Sequence, residues 1–329
     1  MTILQELKKE FKNAETFTLN DAYENIKSTE RAHSIRARIY EGIDKGIFKR
    51  VSKGVFTMVS KDDNSVLLVQ GSGRDLSMIA DSSIDCIITD HPYSDKKSNK
   101  GGNRNFAEYN VFQYNEEDFI QKARVLKDGA FLVEFFAEEN SNNYDYIYNC
   151  KKLAEKAGLE YYSTVNWKKG NFVSNTGRKA KNTEQMVFFT KGKARNLKLD
   201  AKKNKKTAID NGLDVSKLDS YETADLLKAN GLPVARMSGT AKMLPTEFDI
   251  EKTPKNETIH QAEKPVELFM ELLDYISLEN ELVLDQFAGS CNLGAACLRT
   301  KRNALLFELD IKTYKNGREK LEKEGMVIC

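Results

Sequence analysis

Three stretches of the chain hold side chains whose types and spacing suit chemistry. The first is ITDHPYSD, residues 88–95, where an apolar run ends in Asp90, His91, Pro92 and Tyr93. An aspartate accepts a hydrogen bond from an amino group, backbone carbonyls beside a proline accept another, and a tyrosine ring stacks on a planar base. That set suits a base turned out of its duplex, its exocyclic amine placed to attack an electrophile. A strand that merely ends in an aspartate and a proline turn looks the same, so this stretch alone leaves both readings open. The second is ELVLDQFAGSCNLGAACL, residues 281–298. An apolar strand ends at Asp285, a turn holds Phe287, Gly289 and Ser290, and a helix begins near Leu293. Small residues let backbone N–H groups and a helix N-terminus approach a ligand, as in nucleotide-binding βα turns. About 20 residues further on, NALLFELD carries Glu308, where such units place an acid on the ribose hydroxyls of an adenosine. The third is IHQAEKPVELFMELLDYI, residues 259–276, in which Lys264 and Pro265 open an amphipathic helix. A proline suits a first helical turn, and a lysine at a helix start can hold a carboxylate. Alone, that opening is common.

Such side chains need a sheet to hold them. Residues 61–193 alternate strands and helices: SVLLVQG, SIDCIITD, GAFLVEFF, YYSTVNWKK and EQMVFFTKG read as strands, with helices at about 115–127 and 142–157. Continuous apolar runs such as CIIT and FLVEFF are what a parallel sheet buried on both faces requires. The last two runs lie close together and suggest an antiparallel pair at the sheet edge. Residues 194–257 break the pattern, with Pro233, Pro245 and Pro254, many Lys and Asp, and no strand alternation. They read as an insert of long loops, partly helical around 224–229. Residues 258–329 return to helix, strand, helix, strand, helix. The fold class is α/β, a mostly parallel Rossmann-like sheet with an antiparallel edge hairpin.

Residues 1–60 form a smaller domain. Leu4, Leu7 and Phe11 mark one helix face, Leu19, Ala22, Tyr23 and Ile26 a second. Ser28 or Thr29 can cap a third helix, with Ile35, Ile39 and Ile43 on one side and Arg31, Arg36 and Arg38 elsewhere. Two β-like runs follow around Ser52, Lys53 and Gly54. Three helices and a basic hairpin is the order of a winged helix, whose third helix enters the major groove. A small helical docking domain is the alternative.

Composition narrows the rest. Hydrophobic residues make up 40% and charged residues 30%, enough for a sizeable core and too apolar for wholesale disorder. No window approaches the ~18 apolar residues of a membrane span, and the N-terminus lacks the apolar core of a secretory signal. Five scattered cysteines without a CxxC pair argue against a disulfide framework or a metal cluster, and fit a reducing cytoplasm. The net charge of +2 hides clustering. Between Lys27 and Lys53 there are eight basic residues against three acids, and between Lys191 and Lys206 eight against Asp200 alone. Residues 96–104 and 168–181, the latter with Lys168, Lys169 and Arg178, hold basic residues and no acid. Four such clusters on a balanced chain are what phosphate neutralisation requires.

Together these motifs resemble those of the S-adenosylmethionine-dependent amino-methyltransferases of DNA, in the permuted order called the β class. ITDHPY resembles that family's D-P-P-Y, and VNWKKGN with EQMVFFTKG its strand pair with a Trp-x-Lys segment. HQAEKPVEL resembles H-x-x-x-K-P-x-x-L, VLDQFAGSCNLG resembles V-L-D-x-F-x-G-S-G, and LLFELD resembles the acidic ribose strand. The resemblance covers residues 65–192 and 258–329. It implies a catalytic half at 61–193, a target-recognition insert at 194–257 and a cofactor half at 258–329. It implies that Asp90 orients the target amine, that the carbonyls of His91 and Pro92 take its second hydrogen, and that Tyr93 stacks on the base. His260, Lys264, Pro265, Asp285, Phe287, Gly289 and Ser290 would shape the methionine pocket of the cofactor, S-adenosylmethionine, and Glu308 would hold its ribose. The implied substrate is double-stranded DNA. Aspartate at the first motif position points to adenine N6; cytosine N4 is the alternative within the family. A DNA binder whose methyltransferase domain only senses cofactor is the alternative outside it. Three positions depart from the pattern. His91 replaces the first proline, so the loop should lose rigidity. Cys291 replaces a glycine, and its Cβ should crowd the methionine moiety. Near GSGRD the adenine-reading aspartate has only Ser72 and the shifted Asp75 as counterparts. Many relatives dimerise, so a homodimer is one expected assembly; nothing in the chain points to a restriction endonuclease partner. Trp167 reads as edge packing, His33 as exposed and Cys86 as core.

Overall fold

In the computed structural model, the described residues are 3–11, 17–26, 32–44, 48–52, 55–58, 64–92, 112–170, 182–253, 258 and 263–324. The chain forms two compact units, residues 1–64 and 65–329.

The first unit runs α1 (Ile3–Glu10), β1 (Phe17–Thr18), α2 (Leu19–Asn25), α3 (Ala32–Asp44), β2 (Phe48–Ser52) and β3 (Val55–Met58). Thr18 caps α2: its hydroxyl accepts from Asp21 N at 3.2 Å while Asp21 accepts from Thr18 N at 2.6 Å. Leu7, Phe11, Ile35 and Ile39 turn inward at helical spacing and meet Phe17 and Phe56 from the strands. The rings of Phe11 and Phe17 stack 4.2 Å apart. Between the first two helices lies β1, which pairs with β3, so the expected hairpin becomes a three-stranded antiparallel sheet in the order β1-β3-β2.

The second unit contains β4 (Val66–Gln70), β5 (Ile84–Thr89), α4 (Glu116–Val125), β6 (Leu126–Ala137), α5 (Tyr144–Lys156), β7 (Leu159–Lys168) and β8 (Thr183–Lys191). The insert follows, with β9 (Lys198–Leu199), α6 (Ala201–Asp210), α7 (Ser220–Ala229), β10 (Arg236–Met237) and β11 (Glu247–Asp249). Then come α8 (Val266–Ile276), β12 (Leu282–Asp285), α9 (Asn292–Arg299), β13 (Asn303–Glu308) and α10 (Ile311–Lys323). Among the described residues the main sheet has eight strands in the order β11-β7-β8-β6-β5-β12-β13-β4. Strand β8 runs antiparallel to both neighbours, and the other pairings are parallel. Every residue of β5 is buried, because helices cover both faces of the sheet. One face carries Ile88, Phe131, Val133 and Val283 against α8 and α9; the other carries Ile87, Leu132 and Leu284 against α4 and α5.

The insert is more ordered than its sequence suggests. Helices α6 and α7 pack on each other through Ala208, Val215 and Leu227. Both have aspartate caps, Asp200 and Asp219. Strand β11 joins the main sheet beside β7, with Phe248 opposite Trp167. Trp167 is fully buried there and donates from Nε1 to Ile250 O at 2.8 Å. Strands of two or three residues are too short to show alternation, and α6 buries Asn204 and Ala208 rather than large apolar side chains. Both features erase the pattern by which sequence reveals an element.

Candidate active site

The connection from β5 leads to β6 on one side, and that from β12 leads to β13 on the other. Ligands in open α/β sheets settle outside the carboxyl ends of the strands at such a switch point. Asp90, Asp285 and Glu308 lie at the carboxyl ends of three adjacent parallel strands, β5, β12 and β13. The Thr89 hydroxyl donates to Asp285 Oδ1 at 2.9 Å and ties the first two ends together.

Asp90 does not stand alone. Lys264, one residue before the cap of α8, forms an ion pair with Asp90 Oδ2 and lies 3.1 Å from Glu184 Oε2 at the start of β8. Glu184 also pairs with Lys169. Four charges of alternating sign thus run from Asp90 to Lys169. Burial pushes the Asp90 carboxyl up, against the pull of Lys264. Burial acts on Glu184 too, but its two ammonium partners outweigh it and hold it at about 2. Lys169, read from sequence as a phosphate contact, is therefore engaged at this site, and Lys168 pairs with Asp249 at 2.5 Å. Pro265 occupies the cap position of α8, one residue earlier than the first-turn position expected for it.

The glycine-containing turn has a defined geometry. Gly289 takes a left-handed conformation, φ +50°, and donates its N–H to Glu308 Oε2 at 2.8 Å. Asp310 N donates to Glu308 Oε1 at 2.8 Å. Phe287 N donates to Asp285 Oδ1 at 3.0 Å. Burial raises the Asp285 carboxyl to about 7 despite this bond and that from the Thr89 hydroxyl. Ser290 is buried, and the ring of Phe287 lies 5.5 Å from that of Phe112. Asn292, the first residue of α9, donates to Lys264 O at 2.7 Å and accepts from Lys320. Gly73, after β4, fits against Gln286 so closely that any β-carbon would collide with the Gln286 carbonyl. Gln286 Nε2 in turn donates to Gly73 O at 2.6 Å.

Two departures from the motif pattern find a physical account. Cys291 caps α9 in the left-handed region, φ +59°, and its side chain is fully buried. The thiol turns into the core against Gly317 of α10, where the missing side chain leaves room for it. His91 is 1% exposed and lies in a box of rings, with Tyr114 at 4.0 Å, Phe136 and Tyr146 at 5.7 Å and Phe112 at 5.9 Å between centroids. Its Nε2 lies 2.5 Å from the Tyr146 hydroxyl. Packing and a hydrogen bond therefore hold the side chain that stands where the pattern has proline. Ser72 and Asp75 border a cavity of about 470 Å³ with Arg74 and Asp118; Asp75 caps Ser77 N at 3.0 Å, and Arg74 grips Asp118 through two bonds of 2.7 and 2.8 Å.

Pro92 O, one of the two carbonyls expected to receive an amine, accepts from Phe112 N at 3.1 Å and keeps a second lone pair. Tyr93, His260, Arg31, Lys53 and Arg178 lie outside the described residues. Arg36 and Arg38 are exposed on α3, with Arg38 2.5 Å from Glu41. Sequence reading missed Thr89, Glu184 and Asn292. It also missed the fully buried Lys122–Glu134 ion pair behind His91, to which Tyr114 donates at 3.2 Å. One signal was available: Glu134 interrupts the apolar run FLVEFF, and a charge in a strand buried on both faces needs a partner. Among the described residues no cluster of side chains is placed to hold a metal ion, and no helix is long and apolar enough to cross a membrane.

Comparison with known proteins gives concordant results. The model of the N6/N4 methyltransferase family, described as DNA methylase, matches residues 84–319. The chain is 24% identical over 261 residues to the type II methyltransferase M.HpaI of Haemophilus parainfluenzae, covering 78% of this chain and 74% of that protein. Among solved structures it is similar to the PvuII cytosine-N4-specific DNA methyltransferase, with 14% identity, 80% of this chain and 91% of that one covered, and a TM-score of 0.51. It is also similar to the complex of M1.HpyAVI with S-adenosylmethionine, with 18% identity, 78% and 99% covered, and a TM-score of 0.49.

Proposed function

The chain belongs to the N6/N4 DNA methylase family, whose methyl donor is S-adenosylmethionine, and we propose that it methylates the N6 amine of adenine in duplex DNA at the carboxyl ends of β5, β12 and β13. The observation that carries the site is the convergence of Asp90, Asp285 and Glu308 at the switch point of the sheet, with Lys264 reaching across to Asp90.

The donor set fits the cofactor. Asp285 is a buried carboxylate raised to about 7, and a neighbouring ammonium such as that of a methionine moiety would return it to the ionised form. Glu308 presents carboxylate oxygens beside the Gly289 and Asp310 N–H groups, where a sugar diol would donate to it. Lys264 is placed for a carboxylate. When bound, the cofactor supplies a sulfonium methyl, an electrophile that needs no activation by the protein. Asp90 accepts one hydrogen of the target amine at Oδ1, since Lys264 holds Oδ2. The backbone carbonyls of His91 and Pro92 take the second, Pro92 O keeping a lone pair beside its bond from Phe112 N. These acceptors draw density towards nitrogen as it becomes tetrahedral, and fixed geometry supplies most of the rate. The elevated affinity of Asp90 for protons suits it to hold the one released from nitrogen. Tyr93 is assigned to stack on the base.

Aspartate at 90, rather than serine, supports adenine as the target. The likeness to a cytosine-N4-specific enzyme is a likeness of fold, and keeps cytosine N4 as the second reading. The order of elements in residues 1–64, with Arg36 and Arg38 exposed on α3, supports a winged helix that contacts DNA. The exposed Lys202, Lys203, Lys205 and Lys206 of α6 support a role for the insert in target recognition. Incubation with DNA and methyl-labelled S-adenosylmethionine, followed by digestion and mass spectrometry of nucleosides, should place label in N6-methyldeoxyadenosine. Label in N4-methyldeoxycytidine would move the target to cytosine. Absence of label with DNA still bound would leave a cofactor-sensing DNA binder.

A further inference from the structure

Where the family pattern has a proline, this chain spends a buried histidine on the residue beside the reacting carboxylate. We propose that His91 and Tyr146 form a positioning pair for methyl transfer, holding the backbone from Asp90 to Pro92 in the place of that proline ring. The inference rests on the assignment of Asp90 to the target amine.

A proline would fix φ at 91 near −65° by its ring. Histidine has no such restraint, and the same backbone must be held from outside. Three observations show how. The imidazole is enclosed by Tyr114, Tyr146, Phe112 and Phe136, with 1% of the residue exposed, so rotation about its side-chain bonds would displace packed rings. Its Nε2 shares a hydrogen bond of 2.5 Å with the Tyr146 hydroxyl, and that hydroxyl also accepts from Tyr114 N at 3.2 Å. Pro92 O accepts from Phe112 N at 3.1 Å. One phenol on α5 therefore binds both the chain leaving the catalytic strand, at 91, and the chain returning at 112–115. The foundation of this clasp is itself fixed: Tyr114 donates to Glu134, and Glu134 pairs with Lys122, all of them fully or almost fully buried. Burial keeps His91 neutral, so the pair is a hydrogen bond between uncharged groups.

The imidazole and the phenol are assigned no contact with base or donor, and their effect passes through Asp90 and the His91 carbonyl. A misplacement of about 1 Å is worth on the order of 100-fold in rate when positioning supplies the catalysis. Tyr146→Phe keeps the ring and removes the clasp; His91→Asn removes the reach to Tyr146. With DNA and S-adenosylmethionine both saturating, each is expected to lower kcat at least tenfold, leaving both KM values within threefold and the melting temperature of the full chain near that of the wild type. Tyr146→Phe removes the shared bond and also the acceptor of Tyr114 N, so it should be the slower single, and the double variant should be no slower than it. Tyr146→Phe combined with His91→Pro, which restores the ring, should recover kcat to within threefold of wild type. Wild-type kcat in Tyr146→Phe, additive losses in the double variant, or a folded proline variant without recovery would each overturn the inference. Asp90→Ala is run beside them. Its inactivity together with an unaffected Tyr146→Phe defeats the positioning pair alone, whereas an active Asp90→Ala defeats the assignment of the catalytic carboxylate.

Discussion

At the scale of single residues, the site is a set of carboxylates whose environments differ. Asp90 shares Lys264 with Glu184, whereas among the described residues Asp285 has hydroxyl and amide donors and sits at about 7. Asp90→Asn keeps shape and loses the charge that draws on the amine; kcat should fall about 10²–10⁴-fold, measured by methyl incorporation at saturating substrates. For Asp285 the sign follows from its folded value lying above the ordinary 3.8. The folded chain holds this proton more tightly than the unfolded chain, so the group favours folding fully below about 4 and loses that contribution as pH rises through about 7. At 4% exposure the loss is about 4 kcal/mol over that span. Urea unfolding from pH 5 to 8 should show the decline, and Asp285→Asn should flatten it. A bound ammonium reverses the preference. Affinity for S-adenosylmethionine, measured by calorimetry, should therefore rise with pH up to about 7 and level off. An equal pH dependence in Asp285→Asn would place its origin at another group.

At the scale of elements, much was legible because the strands that carry the candidate site are largely apolar and each leads into an acid. SIDCIITD and ELVLD gave β5 and β12 their type, and a parallel sheet follows from strands buried on both faces. What stayed hidden depends on packing between distant segments. His91, Tyr114, Lys122, Glu134 and Tyr146 converge from a strand end, a loop, two helices and a neighbouring strand, and no periodicity links them. Cys291 and Gly317 are a second case. A glycine inside a helix costs roughly 1 kcal/mol against alanine, yet α10 has one, buried, where the Cys291 thiol lies. Gly317→Ala should therefore destabilise the protein by about 1–3 kcal/mol in urea titrations, opposite to its helix propensity. Adding Cys291→Gly removes the thiol and a left-handed non-glycine residue, and should restore most of the loss. A stabilised Gly317→Ala would mean that the thiol yields without cost, and the coupling between turn and helix would fall.

At the scale of the molecule, the net charge of +2 says little about DNA, and the distribution of charge says more. Lys169 sits within the buried charge chain of the candidate site, which removes one cation from those the sequence offered to phosphate, whereas Lys168 is in an exposed pair with Asp249. The exposed cations on α3 and α6 remain, Arg36 and Arg38 on one, Lys202, Lys203, Lys205 and Lys206 on the other. Arg38 is paired with Glu41, but an exposed pair is worth at most about 1 kcal/mol, and a phosphate can displace the carboxylate. Each phosphate contact adds roughly 0.9 to the slope of log affinity against log salt, because a condensed counterion is released. Arg36→Ala with Arg38→Ala should thus weaken DNA binding and reduce that slope by up to about 2, read by fluorescence anisotropy of a labelled duplex across a salt series. Replacing the four α6 lysines by glutamine should reduce it further and independently. If the slope survives the arginine changes and falls with the lysine changes, DNA lies against the insert and residues 1–64 serve another partner. If both leave it intact, the phosphate contacts come from neither helix.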